Sequence, residues 1–210
     1  MILSELVGHN EDHPAYRGME VANGMRHYGF LRSAIEAALA VERPFLSQTV
    51  IKAINYHAIA CLHPYAGEYR PCPVTVGEYE PPAHYRVGTL MDDFVNQINR
   101  NWHETDEVSL AAHVLWRLNW IHPFINGNGR TARAACYFVL CLKMGGWLPG
   151  NVILPEALRQ QEFRERYIQT LRHADDTAQV GAVDLGPMAQ LLLDLLGRQL
   201  ASIDPNGESR

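Results

Sequence analysis

Apolar residues recur every three or four positions through most of this chain, in blocks separated by short polar turns. In GFLRSAIEAALAV, residues 29–41, Phe30, Leu31, Ala34, Ile35, Ala38 and Leu39 share one stripe, which predicts a helix that Pro44 ends. Ser47 is placed to cap a second helix, QTVIKAINYHAIACL, in which Val50, Ile51, Ile54, Ala58 and Leu62 keep the period. The same spacing returns in LMDDFVNQINRNW. It returns again in EVSLAAHVLWRLNWIH, where Thr105 is the expected cap and Asp106 and Glu107 suit the positive end. Pro123 stops that helix. RTARAACYFVLCLKMGGW is helical to Gly145–Gly146, and PEALRQQEFRERYIQTLRHAD places Phe163, Tyr167, Leu171 and Ala174 on one face with Pro155 in a first turn. GPMAQLLLDLLGRQL forms the last helix, with residues 201–210 a frayed tail.

Two stretches break the pattern. The opening eighteen residues carry several His and a Pro without an apolar period and read as loosely structured, so residues 1–24 are set apart as an N-terminal segment, loosely ordered or regulatory. Between Gly67 and Pro82, GEYRPCPVTVGEYEPP favours extended backbone at Val74, Thr75 and Val76, with Gly77 to turn. Its four prolines remove ladder donors, so it suits an edge hairpin and not a central strand. The expected fold is all-α, a helical bundle over 25–200 with one small β-hairpin.

Composition narrows the function. A chain of 210 residues, 47% hydrophobic, can bury one full core. Its formal net charge of −5 argues against a general nucleic-acid binder, though not against a local cationic pocket. Cys61, Cys72, Cys136 and Cys141 form no CxxC pair, which suits reduced thiols in a cytoplasmic protein. The start lacks a basic region followed by an apolar one, and no apolar run approaches the roughly 20 residues of a membrane span. Export as an effector by a route reading other signals stays open.

The chemistry concentrates in HPFINGNGRTAR, residues 122–133. A helix ends at Pro123, a glycine turn follows, and a new helix opens near Arg130. Unpaired N–H groups at that N-terminus form an anion site, and the glycines permit positive φ and close backbone approach. Arg130 and Arg133, three apart on the first turn, oppose the helix dipole there, so an anion explains them better than helix stability does. His122 can take a proton near neutral pH. A base beside a phosphate cradle points to a hydroxyl attacking a phosphoryl group. Phe124 is expected to face the core as the loop's anchor. Any one of these features alone is ordinary: a turn, a surface His, solvated arginines. Together in this order they favour function.

The stretch resembles the Fic family signature, His-Pro-Phe-x-Asp/Glu-Gly-Asn-Gly-Arg-x-x-Arg, at every fixed position but Asn126, where the family has an acid. The segment 67–82 is similar to the family's flap, and the resemblance extends over roughly residues 25–175. It implies transfer of AMP from ATP to a Ser, Thr or Tyr hydroxyl of a target protein, with Mg²⁺. By that resemblance His122 is the general base, and Gly127, Asn128 and Gly129 hold the nucleotide phosphates. Arg130 and Arg133 neutralise the phosphate tail, Asn126 stands at the metal position, and Val74, Thr75 and Val76 dock the target as an added strand. An Asn keeps an oxygen ligand but removes the charge Mg²⁺ prefers. Transfer of another phosphate-containing group, or a silent nucleotide-binding or interaction domain, are therefore the alternatives.

Many Fic proteins carry an inhibitory Ser/Thr-x-x-x-Glu-Gly/Asn helix whose Glu takes the place of the second arginine's phosphate partner. Glu20 is the candidate here, but Tyr16 and Val21 break the pattern, and an ordinary solvated Glu is the expectation. Glu36, with Arg32 and Ala37, fails it too. A separate inhibitor protein, or no inhibition, is then as consistent. His57 with His63 and His103 with His113 lack a consistent ligand face, so core or surface histidines are expected. Trp116 and Trp120 read as a packed stripe. Phe163 and Tyr167 are either core or, by the resemblance, near an adenine ring.

Overall fold

The computed structural model describes residues 2–41 and 45–203; the stop at Pro44 and the tail from 204 onward lie outside the described residues. Among the described residues the α-helices are α1 (Leu3–Leu6), α2 (Pro14–Ala40), α3 (Gln48–Ile59), α4 (Val87–Arg100), α5 (Glu107–Ile121), α6 (Asn128–Lys143), α7 (Leu154–Ala157), α8 (Gln161–Gln179) and α9 (Gly186–Ala201), with a 3-10 turn at His84–Arg86 leading into α4. The fold is the expected all-α bundle.

Helix α6 is its axis. It packs most extensively on α5 and also on α3, α2 and α7. From Thr131 to Leu142 every residue but Arg133 is buried, as befits a helix apolar on nearly all sides. Phe138 and Leu140 there, each effectively out of solvent, contribute about 1.5–3 kcal/mol apiece by burial. The α5–α6 connection carries the motif, so the site is anchored to the two most packed helices of the molecule.

Several local expectations need correction. The opening is not loose: α2 starts at Pro14, whose fixed φ suits a first turn, and the His13 ring accepts from the Ala15 N–H at 3.2 Å. Its buried face begins with Tyr16, Asn23 and His27 before Leu31 and Ile35, so no apolar period marks its first half. A boundary at 24/25 falls inside this one helix. On α5 the cap is Asp106, which accepts from the N–H groups of Val108 at 3.1 Å and Ser109 at 2.9 Å, in place of Thr105. The helix expected from Pro155 is two: Leu154, Pro155, Ala157 and Leu158 pack inward, and extended backbone at Gln160 separates α7 from α8.

The hairpin reduces to its tip. A single antiparallel bridge joins Val76 and Tyr79, with N–H···O distances of 2.9 and 3.0 Å, and Gly77 turns at φ +60°. Glycine at the first central residue is what a two-residue II′ turn demands. Val74 and Thr75 lie outside the bridge, in keeping with the prolines on either side.

Candidate active site

The geometry of the motif loop follows from how α5 ends. A proline disfavours right-handed helix in the residue before it. His122 accordingly leaves the helix into the left-handed region, φ 51° and ψ 58°, while its N–H still bonds Leu118 O at 3.0 Å. For a residue with a Cβ this conformation costs on the order of 1–2 kcal/mol and must be held by its surroundings.

The holding is done through carbonyls. Arg70 Nε donates to His122 O at 2.8 Å, and the Arg70 N–H donates to Pro123 O at 2.9 Å. The Asn128 side chain brackets Phe124, accepting from its N–H at 2.9 Å and donating to its carbonyl at 2.8 Å. Asn55 Nδ2 donates to Asn126 O at 3.0 Å, and the Thr131 N–H and hydroxyl both reach Gly127 O at 2.9 Å. Phe124 is fully buried, as its anchoring role requires.

The donors are left over. Thr131 N–H makes the first intrahelical bond of α6, so the N–H groups of Asn128, Gly129 and Arg130 precede any helical acceptor. Helix α6 opens at Asn128, two residues before the expected Arg130, with Gly127 as N-cap at φ +77°. A Cβ on Gly127 would stand 2.8 Å from Ile59 Cγ2, so glycine is required on two counts. Gly129 is ordinary helix, not a positive-φ residue; there a Cβ would meet Arg133 Nη1 at 3.2 Å. With its acceptors consumed from behind and its donors free, the loop presents net positive potential.

His122 completes the geometry. Its Nδ1 lies 3.3 Å from Asn119 O. A carbonyl only accepts, which assigns the proton to Nδ1 and leaves Nε2 as a lone pair. Burial pushes His122 down to about 4, with the Asn119 carbonyl pulling up and the Arg70 charge pulling down more weakly. The ring is thus a neutral acceptor at pH 7.

Both motif arginines line one cavity of about 370 Å³, together with Glu20, Tyr28, Glu156 and Arg159. Arg130 donates to Glu20 Oε1 at 3.1 Å, Ala58 O at 3.4 Å and Asn126 Oδ1 at 3.3 Å. Glu20 is therefore an ion-paired, partly exposed carboxylate at the cavity, shared between Arg17 at 3.6 Å and the first motif arginine, and not paired with the second. Arg133 makes no ion pair among the described residues. Burial opposes its charge, and the nearby Tyr167 and Tyr28 hydroxyls favour it.

Asn126 is committed on both sides. Its oxygen faces Arg130, which can only donate, so its Nδ2 faces His63 Nε2 at 2.8 Å; the Tyr16 hydroxyl lies 2.9 Å from the same nitrogen. Burial holds His63 below its ordinary range despite Glu11. The donor set does not fit a protein-held Mg²⁺: one neutral amide oxygen, already taken by a guanidinium, replaces the carboxylate such an ion favours. Among the described residues no group of three or more His, Cys, Asp or Glu could hold a metal.

The remaining candidates are packed or hydrogen-bonded within the fold. Trp116 is buried and donates to Asp175 Oδ1 at 2.8 Å, and Arg117 lies 4.2 Å over the Trp120 ring. Phe163 and Tyr167 are buried, and the Tyr167 hydroxyl accepts from Asn119 Nδ2 at 3.0 Å. His57 stacks on Phe30 with ring centroids 4.5 Å apart. All four cysteines are free. Sequence reasoning missed the support that Asn55, Arg70 and His63 give the motif, whose residues they meet across 52 to 76 positions.

Residues 45–140 match the model of the Fic/DOC family. Protein adenylyltransferase Fic of Aedes aegypti is 27% identical over 79% of this chain and 31% of its own length. The protein of that name from Drosophila willistoni is 32% identical over 64% of this chain and 24% of its own. The chain thus spans less than a third of these curated relatives. Fic-1 from C. elegans superposes with a TM-score of 0.66 at 24% identity, covering 87% of this chain and 49% of that one. A Fic-domain signalling protein from Bacteroides thetaiotaomicron gives 0.68 at 23%, covering 85% and 70%. No described helix is long and apolar enough to cross a membrane.

Proposed function

The chain carries a domain of the Fic/DOC family, and on that premise we propose that it transfers AMP from ATP to a Ser, Thr or Tyr hydroxyl of a target protein. One observation carries the reading: a loop whose carbonyls are tied back and whose helix N-terminal N–H groups are left over, with the His122 Nε2 lone pair at one end and two guanidiniums at the other, Arg133 without an ion pair among the described residues and Arg130 held by Glu20. In the reaction the target oxygen attacks the α-phosphorus. The new O–P bond forms as the bond to the β-phosphate breaks, pyrophosphate leaves, and the hydroxyl proton passes to His122 Nε2. The N–H groups of Asn128, Gly129 and Arg130 meet the charge developing on the phosphoryl oxygens, and Arg130 with Arg133 meets the departing phosphates. Mg²⁺ enters in this reading as the counter-ion of ATP, and no step depends on it here. The helical domain from α2 onward is read as the unit that performs the transfer.

The decisive test is mass spectrometry of lysate proteins incubated with ATP and this protein. An adenylyl group on Ser, Thr or Tyr, absent when His122 is replaced, is the expected result. The committed Asn126 favours a second reading, binding of a nucleotide without AMP transfer. Tight ATP binding with no modified protein would establish it.

The flap is proposed to dock the target as an added strand. In a strand, alternate residues turn their main-chain groups to opposite edges. Val76 points inward to Tyr79, so Thr75 offers its N–H and C=O to the open edge. Thr75→Pro is expected to cut target modification about tenfold by removing that donor, with ATP affinity unchanged. Equal loss of both, read by calorimetry beside the transfer assay, points to unfolding and removes the flap's role.

Glu20 is proposed to hold Arg130 away from phosphate. Its carboxylate must leave the guanidinium before an anion can take its place. Glu20→Gln keeps the shape and removes the competing charge, and ATP affinity is expected to rise several-fold, by about 1 kcal/mol. Unchanged affinity takes Glu20 out of the phosphate path and leaves a separate inhibitor protein, or no inhibition.

A further inference from the structure

Arg70 is a buried cation without an ionic partner. The residue is 3% exposed, and among the described residues it joins no carboxylate. Its charge is met by carbonyls alone. Nε donates to His122 O at 2.8 Å, Nη1 to Cys72 O at 3.3 Å, Nη2 to Pro82 O, and the main-chain N–H to Pro123 O at 2.9 Å.

These partners come from three places. Cys72 precedes the Val76–Tyr79 tip, Pro82 follows it, and His122 with Pro123 forms the end of α5. A single side chain therefore pins both legs of the flap and the residue bearing the base. The Tyr79 hydroxyl adds a tie near the tip, donating to Trp120 O at 2.6 Å. Burying a full charge is expensive, and carbonyl partners relieve that cost only with good geometry. Packing alone would be served by a neutral side chain. The planar fork, with donors in fixed directions, does what a flexible ammonium cannot: it fixes three backbone segments relative to one another.

We propose that Arg70 is a positioning residue for transfer, setting the distance and register between the flap, where the target backbone docks, and His122, where the target hydroxyl loses its proton. The proposal rests on the assignment of His122 as base and the flap as dock. Arg70 acts on His122 in a second way as well. Its guanidinium is the charge whose field lowers the ring's affinity for a proton, against the Asn119 carbonyl, which raises it.

Two variants separate the roles. Arg70→Lys keeps the charge and loses the fork; Arg70→Gln loses the charge and keeps donors. The acceptor is the peptide labelled best in an array of Ser-, Thr- and Tyr-containing peptides incubated with α-labelled ATP. With Arg70→Lys the peptide KM is expected to rise about tenfold and kcat to fall, while calorimetric ATP affinity holds within about twofold, as misplacement of a docked group predicts. The His122 titration, read by NMR of the ring, stays where it is in wild type. With Arg70→Gln that titration moves up, and the acidic limb of kcat/KM moves with it. Wild-type kcat/KM in both variants overturns the proposal, as does a His122 titration unmoved in Arg70→Gln. Loss of ATP affinity and transfer in equal proportion, with a lower melting temperature, also overturns it by making Arg70 merely structural. A wild-type protein that labels no peptide counts against AMP transfer instead, and the NMR titrations still test the link between Arg70 and His122.

Discussion

His122→Ala is expected to lower kcat for protein modification by about 10²–10⁴-fold, the usual contribution of a positioned general base. ATP affinity should stay within about twofold, because the proposed reading gives the phosphates to the N–H groups and the arginines and only the incoming hydroxyl to the imidazole. The pH dependence gives an independent check. Burial pushes His122 down to about 4, so the ring is neutral and able to accept from pH 6 to 8. The base fails only when protonated, so kcat/KM in wild type should be flat across that interval. It should fall about tenfold per unit once pH drops below about 4, and the mutant should lack the limb. The protein must survive at that pH for the limb to be read, so a short jump from neutral stock is the proper form of the assay. Undiminished transfer by His122→Ala removes the base from His122. A limb centred near 6.5 shows that the ring is not desolvated as its packing implies.

What the sequence made legible here has a physical boundary. Helices α3, α4, α5, α6 and α9 bury apolar stripes, and an apolar stripe is what periodicity detects. The first half of α2 buries Tyr16, Asn23 and His27, the first two bonded to residues far along the chain. Asn23 Nδ2, for example, donates to Ala60 O at 2.8 Å. A helix that buries polar groups leaves no apolar period, so periodicity alone reads it as loose. The motif was legible for the opposite reason. An anion-binding N-terminus, a glycine turn and a base are set by neighbouring residues, and their order survives in the primary sequence. The support of that motif was not legible. Asn55, His63 and Arg70 reach the loop through distant carbonyls and amides, and nothing in their own neighbourhoods marks them. The same limit explains Glu20. Its local pattern argued for solvent, whereas α2, laid across α3 and α6, delivers it to Arg130.

Asn126→Asp is expected to reverse sign with magnesium. The two side chains are nearly isosteric, but the change installs a charge at the one position where the loop departs from the family signature. In chelator the new carboxylate repels the phosphates and competes with them for Arg130. At an effective dielectric of about 20, two unit charges about 6 Å apart interact by roughly 3 kcal/mol before screening, so ATP affinity should fall about ten- to a hundredfold. With Mg²⁺ on the nucleotide, the same carboxylate becomes a hard oxygen ligand facing a cation, and affinity should match or exceed wild type. The present structure supplies a further expectation. Asn126 Nδ2 now donates to His63 Nε2 at 2.8 Å, and an aspartate has no such donor. His63 must then present a proton to the new carboxylate, so its titration, held low by burial, should move up. That shift, read by NMR without nucleotide, shows that the substituted side chain still reaches its neighbour in a folded protein. Against that control the calorimetry is decisive. Opposite effects with and without Mg²⁺ place residue 126 beside the metal-bearing phosphates. Equal effects in both titrations, with His63 shifted as expected, place it outside the nucleotide's reach and leave its role as the tie between the loop and the N-terminal helix.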